Sequence, residues 1–232
     1  MDRKPSLSSQ DYQKAMVRGR ELLDQVTNVG ETGDFTDLYT VVEFLCYVFT
    51  QAFPDSPCQA GCSHCCEETF FRVSELEWTV IARYLEQNLP QEASDSLHGF
   101  VAEAYGPHRE ALEALADYMG SNEHGLAPIE GIPARCPFLD ASGCCGIYPV
   151  RPMVCRTYGF FGTVVERKLV MLICQKHGPD FINLMTEKGE KPLTLPQFDP
   201  INEKLRAIAG LSRVAPLPLW LLRWREGQFR ST

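Results

Sequence analysis

The sequence predicts a mainly α fold: a helical scaffold with one small β-hairpin and a loop-built cysteine cluster. Three observations lead there. Apolar residues recur at helical spacing through the first fifty residues and again from about 74 to 119. Two β-prone runs, 158–165 and 169–173, follow each other closely and read as one hairpin. The cysteines, ten in all, crowd mainly into two stretches punctuated by Gly and Pro rather than spreading along the helices.

The elements follow in chain order. Ser8 and Ser9 can cap a first helix, with Tyr12, Met16, Leu22, Leu23 and Val26 on one face and Gly30 just past its end. A second helix is expected to begin near Asp34. Its wide stripe of Leu38, Val41, Val42, Leu45, Val48 and Phe49 predicts deep burial, with Cys46 as a packing residue, and Pro54 and Pro57 end it. The segment T-F-F-R-V after the first cysteine stretch reads as a short extended piece. Ser74 and Glu77 then form a capping box for a third helix, which Pro90 closes. Residues from about Glu92 to Met119 are helical again, with a kink at Gly106-Pro107. Gly120 to Pro133 reads as a loop. The hairpin is joined by E-R-K and delivers Cys174 at its end, and Asp199-Pro200 marks a helix start. The closing P-L-P-L-W-L-L-R-W-R reads as a docked terminal helix. One domain over 1–232 is expected, with N-terminal helices over 8–54, a cluster core over 58–177 and a helical extension over 199–225.

Composition narrows the function classes. A formal net charge of −8 argues against general nucleic-acid binding, and no apolar run reaches the roughly 20 residues of a membrane span. The N-terminus MDRKPSLSSQDYQK has no apolar run, so no signal peptide is expected and a cytoplasmic location follows. Thiols stay reduced in that compartment, so clustered cysteines point to metal ligation rather than crosslinks. Between Arg135 and His177 six Lys/Arg stand against two Asp/Glu, a basic setting that would offset thiolate charge. Arg135, Arg151 and Arg156 flank cysteines and are candidates for that role; simple surface solvation is the alternative.

The chemistry lies in the spacing. Cys58 to Cys66 reads C-Q-A-G-C-S-H-C-C, four thiols within nine residues. Cys62 and Cys65 have the two-residue separation by which a tight turn offers two sulfurs to one ion. Cys58, four residues before Cys62, can point the same way if the segment is helical. Cys65 and Cys66 are adjacent and expected to diverge, which favours a polynuclear site or two neighbouring sites over one simple knuckle. His64 is a candidate ligand or hydrogen-bond donor to a thiolate. Cys136, Cys145, Cys155 and Cys174 are too far apart to form a local knuckle and act together only if the fold gathers them. Glu67 and Glu68 are candidate oxygen ligands or acid–base groups, or exposed charges.

These residues carry a resemblance. C-Q-A-G-C-S-H-C-C, then C-P-F-L-D, then C-G-I-Y-P-V-R-P-M-V-C-R-T-Y-G-F and an isolated cysteine, resemble the zinc- or iron-chelating cysteine-cluster family known as CxxCxxCC, over about residues 58–177. The resemblance implies a ligand set of Cys58, Cys62, Cys65, Cys66, Cys136, Cys145, Cys155 and Cys174, and leaves Cys46 and Cys144 outside it. Two departures stand out. Three residues rather than two separate Cys58 from Cys62, and Gly159 stands where the family often has Pro, a change expected to affect only the local turn.

The resulting reading is a protein that holds zinc or iron through clustered cysteines, as a metal-chelating or structural and interaction module. Its ligand is a metal ion, and no protein partner can be named from the residues. The alternative is an iron–sulfur enzyme of electron-transfer or methyl-transfer type, because flagellin lysine N-methylases carry a similar cluster; no glycine-rich S-adenosylmethionine loop accompanies it here. A metal-free thiol–disulfide switch is the third reading, and eight thiols exceed what a two-thiol exchange site needs.

Overall fold

A computed structural model describes residues 7–59, 61–121, 131–187, 195–210 and 212–227. Ten α-helices are described: α1 (Ser9–Gln25), α2 (Leu38–Ala52), α3 (His64–Glu68), α4 (Glu75–Asn88), α5 (Gln91–Tyr105), α6 (Arg109–Ser121), α7 (Met153–Thr157), α8 (Gly178–Glu187), α9 (Phe198–Ala209) and α10 (Leu217–Arg225). Four short strands accompany them: β1 (Val73–Ser74), β2 (Gly162–Val165), β3 (Lys168–Met171) and β4 (Val214–Ala215). They pair as two separate two-stranded antiparallel sheets, β1 with β4 and β2 with β3. The fold is mainly α with small β pairs, as the periodicities predict. The contacts divide the chain into two compact units, Met1–Cys62 with Cys155–Ile208 and Ser63–Val154 with Ala209–Thr232.

In the first unit α1 is capped by Ser8, whose hydroxyl accepts from the Asp11 N–H. It ends at Gln25, short of Gly30. The loop that follows turns on Asp37, buried at 1% exposure, whose carboxylate accepts from the N–H groups of Gly30, Thr32, Gly33 and Tyr39. Asp37 is therefore the N-cap of α2, three residues beyond the expected start near Asp34. Asp34 instead closes the loop by accepting from Thr36 and Thr32. The apolar stripe of α2 is buried as predicted, and Val48, Phe49, Ala52 and Phe53 join Tyr12 of α1 and Phe181 of α8 in one aromatic-rich core. Helix α8 had no sequence signal strong enough to predict it.

The hairpin forms, shorter than expected, over Gly162–Met171. Glu166 and Arg167 make its turn, both with positive φ, 49° and 65°, the twist that a two-residue hairpin loop demands. Asp199 does not cap the helix after it, because α9 already begins at Phe198. Its carboxylate serves the hairpin instead, accepting from Thr163 Oγ1 at 2.6 Å and from the Val164 N–H at 2.9 Å.

The second unit is organised around the capping box of α4. The Ser74 hydroxyl accepts from the Glu77 N–H while Glu77 accepts from the Ser74 N–H, as the sequence predicts. Glu77 does more than cap. It is buried at 2% exposure, and its second oxygen accepts from the Met153 N–H at 2.7 Å. The kink between α5 and α6 is a 3-10 turn over Gly106–His108. The terminal helix α10 is docked through Leu217 to Leu222, with Trp220 stacked on Trp78 at 6.1 Å and its indole N–H bonded to the Val73 carbonyl. Of the predicted extended piece over 69–73 only Val73 joins a strand, β1, whose pairing with β4 joins residues too distant in sequence to be foreseen. Most of the loop expected over Gly120–Pro133 lies outside the described residues, and α6 runs through Gly120 to Ser121.

Glu77 offers a direct test of this organisation. Replacing it with Ala leaves two buried backbone N–H donors and the Ser74 hydroxyl without their acceptor. Hydrogen bonds to a charged group contribute roughly 1.5–3 kcal/mol each. Urea unfolding of Glu77→Ala is expected to show a loss of at least about 2 kcal/mol, and Glu77→Gln, which keeps one acceptor oxygen, a smaller one. Equal stability of both variants with the parent chain would remove Glu77 from this role.

Candidate metal centre

The thiols divide between the two units, and each unit joins cysteines from remote parts of the chain. Cys58, Cys62, Cys155 and Cys174 belong to the first, with Cys46 and His177; Cys65, Cys66, Cys136, Cys144 and Cys145 belong to the second, with His64. All ten cysteines are free thiols.

In the first unit Cys58 and Cys62 lie on irregular backbone, so the expected single helical turn between them is absent. A turn places them instead, the Cys62 N–H donating to the Gln59 carbonyl. Cys58 is half-buried, and its thiol is pushed up to about 12 by burial and by the neighbouring Cys62 and Cys174 sulfurs. Cys174 itself is buried, three residues beyond the hairpin. Cys62 Sγ lies 3.5 Å from His177 Nε2. Cys155 sits on α7, half-buried. The Cys46 thiol donates to the Arg156 carbonyl at 3.3 Å, which explains a cysteine on an otherwise apolar stripe.

Gly159 reaches beyond its own turn. Its φ is +88°, and a methyl group on its Cα would lie 2.6 Å from Cys58 Cβ and collide with the Cys58 sulfur. A proline, held near φ −65°, cannot adopt this backbone. Its N–H donates to the Leu172 carbonyl, tying the turn to the hairpin.

In the second unit the two cysteine stretches meet through the main chain, the Cys136 N–H donating to the Cys66 carbonyl at 2.6 Å. Cys65 and Cys66 both lie on the short helix α3, and their sulfurs are 4.0 Å apart. The expected divergence of these adjacent side chains is not what the helix produces. Two sulfurs bound about 2.3 Å from one tetrahedral zinc stand about 3.8 Å apart, so this pair already has the separation one ion requires. Cys136 is pushed up to about 12, first by burial and then by the nearby Cys66 and Cys145 sulfurs, against the pull of the Phe138 N–H and the Arg135 charge. Cys66 is lowered to about 7, mainly by the hydrogen bond from Cys65 and also by the Arg151 charge, over the opposing effects of burial and Glu67. Cys145 is half-buried and bridges Leu139 in a single β-type pair, whereas Cys144 is exposed and its N–H is bonded to the Asp140 carboxylate.

The arginines take three different roles. Arg151 acts on Cys66 while its guanidinium lies 4.3 Å over the Tyr148 ring. Arg135 acts on Cys136 and holds the loop through the Leu139 and Asp140 carbonyls. Arg156 is fully buried rather than solvated, paired with Glu43 and lying 4.1 Å over the Tyr39 ring. Glu67 is exposed, accepts from the Ser63 hydroxyl and faces Arg135 at 3.9 Å; Glu68 is exposed too.

Clustered thiols with imidazole, and few carboxylates among them, form a donor set that suits zinc or iron and not calcium or magnesium. Residues 57–177, just over half of the chain, match the CxxCxxCC family model, described as "Putative zinc- or iron-chelating domain". The chain belongs to this family. Compared with curated proteins and with solved structures, it has no match. Among the described residues no helix is long and apolar enough to cross a membrane.

His177 is the residue that sequence reasoning passed over. The signal was present: Cys174 and His177 have the C-x-x-H spacing of a metal-binding turn. The His177 and Gly178 N–H groups both donate to the Cys174 carbonyl and close that turn.

Gly159→Ala tests the packing around Cys58. A side chain in left-handed backbone costs about 1–3 kcal/mol by itself, and here it must also displace a sulfur. The variant is expected to lose stability in that range and to bind metal less tightly than the parent chain, as read by urea melts and competition with a chromophoric chelator. Unchanged metal affinity would show that Cys58 can move without consequence.

Proposed function

We propose that this protein is a metal-holding module in which Cys58, Cys62, Cys155 and Cys174 supply ligands in the first unit and Cys65, Cys66, Cys136 and Cys145 supply them in the second. The observation that carries this reading is the approach of sulfurs remote in sequence within each unit, Cys58 with Cys174 and Cys66 with Cys136. Thiols far apart along the chain gain little from being brought toward one another in the absence of a cation. Burial and mutual repulsion hold Cys58 and Cys136 in the neutral thiol form, and a bound cation would reverse that preference by binding the thiolate. Family membership supports zinc or iron as the cargo. The methyl-transfer alternative draws no support from it.

Metal analysis of purified variants tests the ligand set. Cys65→Ser and Cys155→Ser are expected to lose most of the metal of their sets, because a neutral hydroxyl replaces a thiolate. Cys46→Ala and Cys144→Ser are expected to keep the full content. A Cys144→Ser variant that empties its site, beside a Cys145→Ser variant that does not, would shift the second cluster by one residue.

Removing the metal should act locally. Both units have apolar cores built mainly by helices, although Phe138 and Ile147 of the second cysteine stretch enter one of them and Cys136 and Cys145 pack against it. Chelator treatment is expected to preserve most of the helical circular dichroism while amide exchange accelerates around the two cysteine stretches. Wholesale loss of helix would mean that the metal, and not the cores, holds the scaffold.

A further inference from the structure

We propose that His177 is itself a metal ligand, binding through Nε2 the same ion as Cys62. The inference rests on the metal-holding reading above and adds to it a donor of a different element. Three features of the first unit lead to it.

The first is distance. A sulfur about 2.3 Å and a nitrogen about 2.05 Å from one tetrahedral zinc stand about 3.5–3.6 Å apart. Cys62 Sγ and His177 Nε2 are 3.5 Å apart. The second is the local chain. Cys174 and His177 are separated by two residues, and the two hydrogen bonds onto the Cys174 carbonyl fold that segment back on itself. The same turn thus supplies a buried thiol and an imidazole. The third is the far side of the ring. His177 Nδ1 lies 3.6 Å from the Asp180 carboxylate, one turn on at the start of α8. At 3.6 Å this is a charge contact rather than a hydrogen bond, the looser form of the carboxylate–histidine arrangement found behind metal-bound imidazoles. It favours the tautomer with the proton on Nδ1, leaving the Nε2 lone pair directed toward Cys62.

Hydrogen bonding of an imidazole to a thiol would account for the distance but assigns no purpose to the Cys174 turn or the Asp180 contact. Coordination accounts for all three.

Cobalt(II) is the probe. The full-length chain, stripped of metal and titrated with Co²⁺, is expected to show sulfur-to-cobalt charge-transfer and tetrahedral ligand-field bands. X-ray absorption of the zinc-loaded chain should require a nitrogen neighbour as well as sulfur. His177→Ala is expected to lose that nitrogen contribution, shift the ligand-field bands and weaken Co²⁺ binding at this site at least tenfold. His177→Cys should restore binding, with a spectrum richer in sulfur character. Asp180→Asn is expected to weaken binding less while leaving the nitrogen signal in place. If His177→Ala binds cobalt with the parent spectrum and affinity, the inference is overturned while the metal-holding reading stands. If the parent chain takes up neither cobalt nor zinc, both fall together.

Discussion

Thiols brought close together and away from water resist ionisation, and this constraint explains much of how the chain is built. Cys58 and Cys136 are both driven to about 12, one in each unit, by the same pair of causes: burial and the sulfurs beside them. The protein must assemble such sites without relying on charge to hold them. It does so with main-chain hydrogen bonds. The Cys136 N–H on the Cys66 carbonyl, the Cys62 N–H on the Gln59 carbonyl and the paired N–H groups on the Cys174 carbonyl position sulfurs without drawing on the thiols' own chemistry. Cys58 and Cys136 are thus held as thiols, and an incoming cation displaces their protons, so metal uptake there is tied to proton release and strengthens as pH rises.

Loops with these duties need rigid supports, and the helices provide them. In the second unit Glu77 connects the capping of α4 to the backbone at Met153 through one buried carboxylate. In the first, the Asp37 carboxylate gathers four N–H groups at the entrance to α2. Both are charged groups placed where backbone donors would otherwise be buried without acceptors, the cost that outweighs most other local terms. The apolar cores are thereby left to large side chains, Trp78 on Trp220 in one and Phe49 among Phe53, Phe160 and Phe181 in the other.

What the sequence disclosed and withheld follows from the range of each interaction. The capping box at Ser74 and Glu77, the buried stripe of α2 and the kink at Gly106-Pro107 are legible because their causes lie within a few residues. The second duty of Glu77, the pairing of β1 with β4 and the contact of Gly159 with Cys58 are not, since each joins segments remote along the chain. Asp199 is instructive. Its position before proline is a valid helix-start signal, yet the hairpin claims the carboxylate and α9 starts at Phe198, two residues before Pro200. For the site, the family pattern named cysteines and so drew attention from His177, whose C-x-x-H spacing carried the same kind of information. The short helix α3 also overrode the expectation for Cys65 and Cys66, bringing together sulfurs that an extended chain would separate.

The placement of charge accords with an imidazole beside the thiols of the first unit. Each thiolate brought to a dication adds a negative charge, and a thiolate-rich site carries an excess that nearby cations must offset. In the second unit two arginines meet that need, Arg151 at Cys66 and Arg135 at Cys136. In the first, the influences acting on Cys58 are burial and two further thiols, and the buried guanidinium of Arg156 is neutralised by Glu43. A neutral ligand adds a donor to a thiol-rich site without adding negative charge. His177, with Nε2 3.5 Å from Cys62 Sγ, is placed to be that donor.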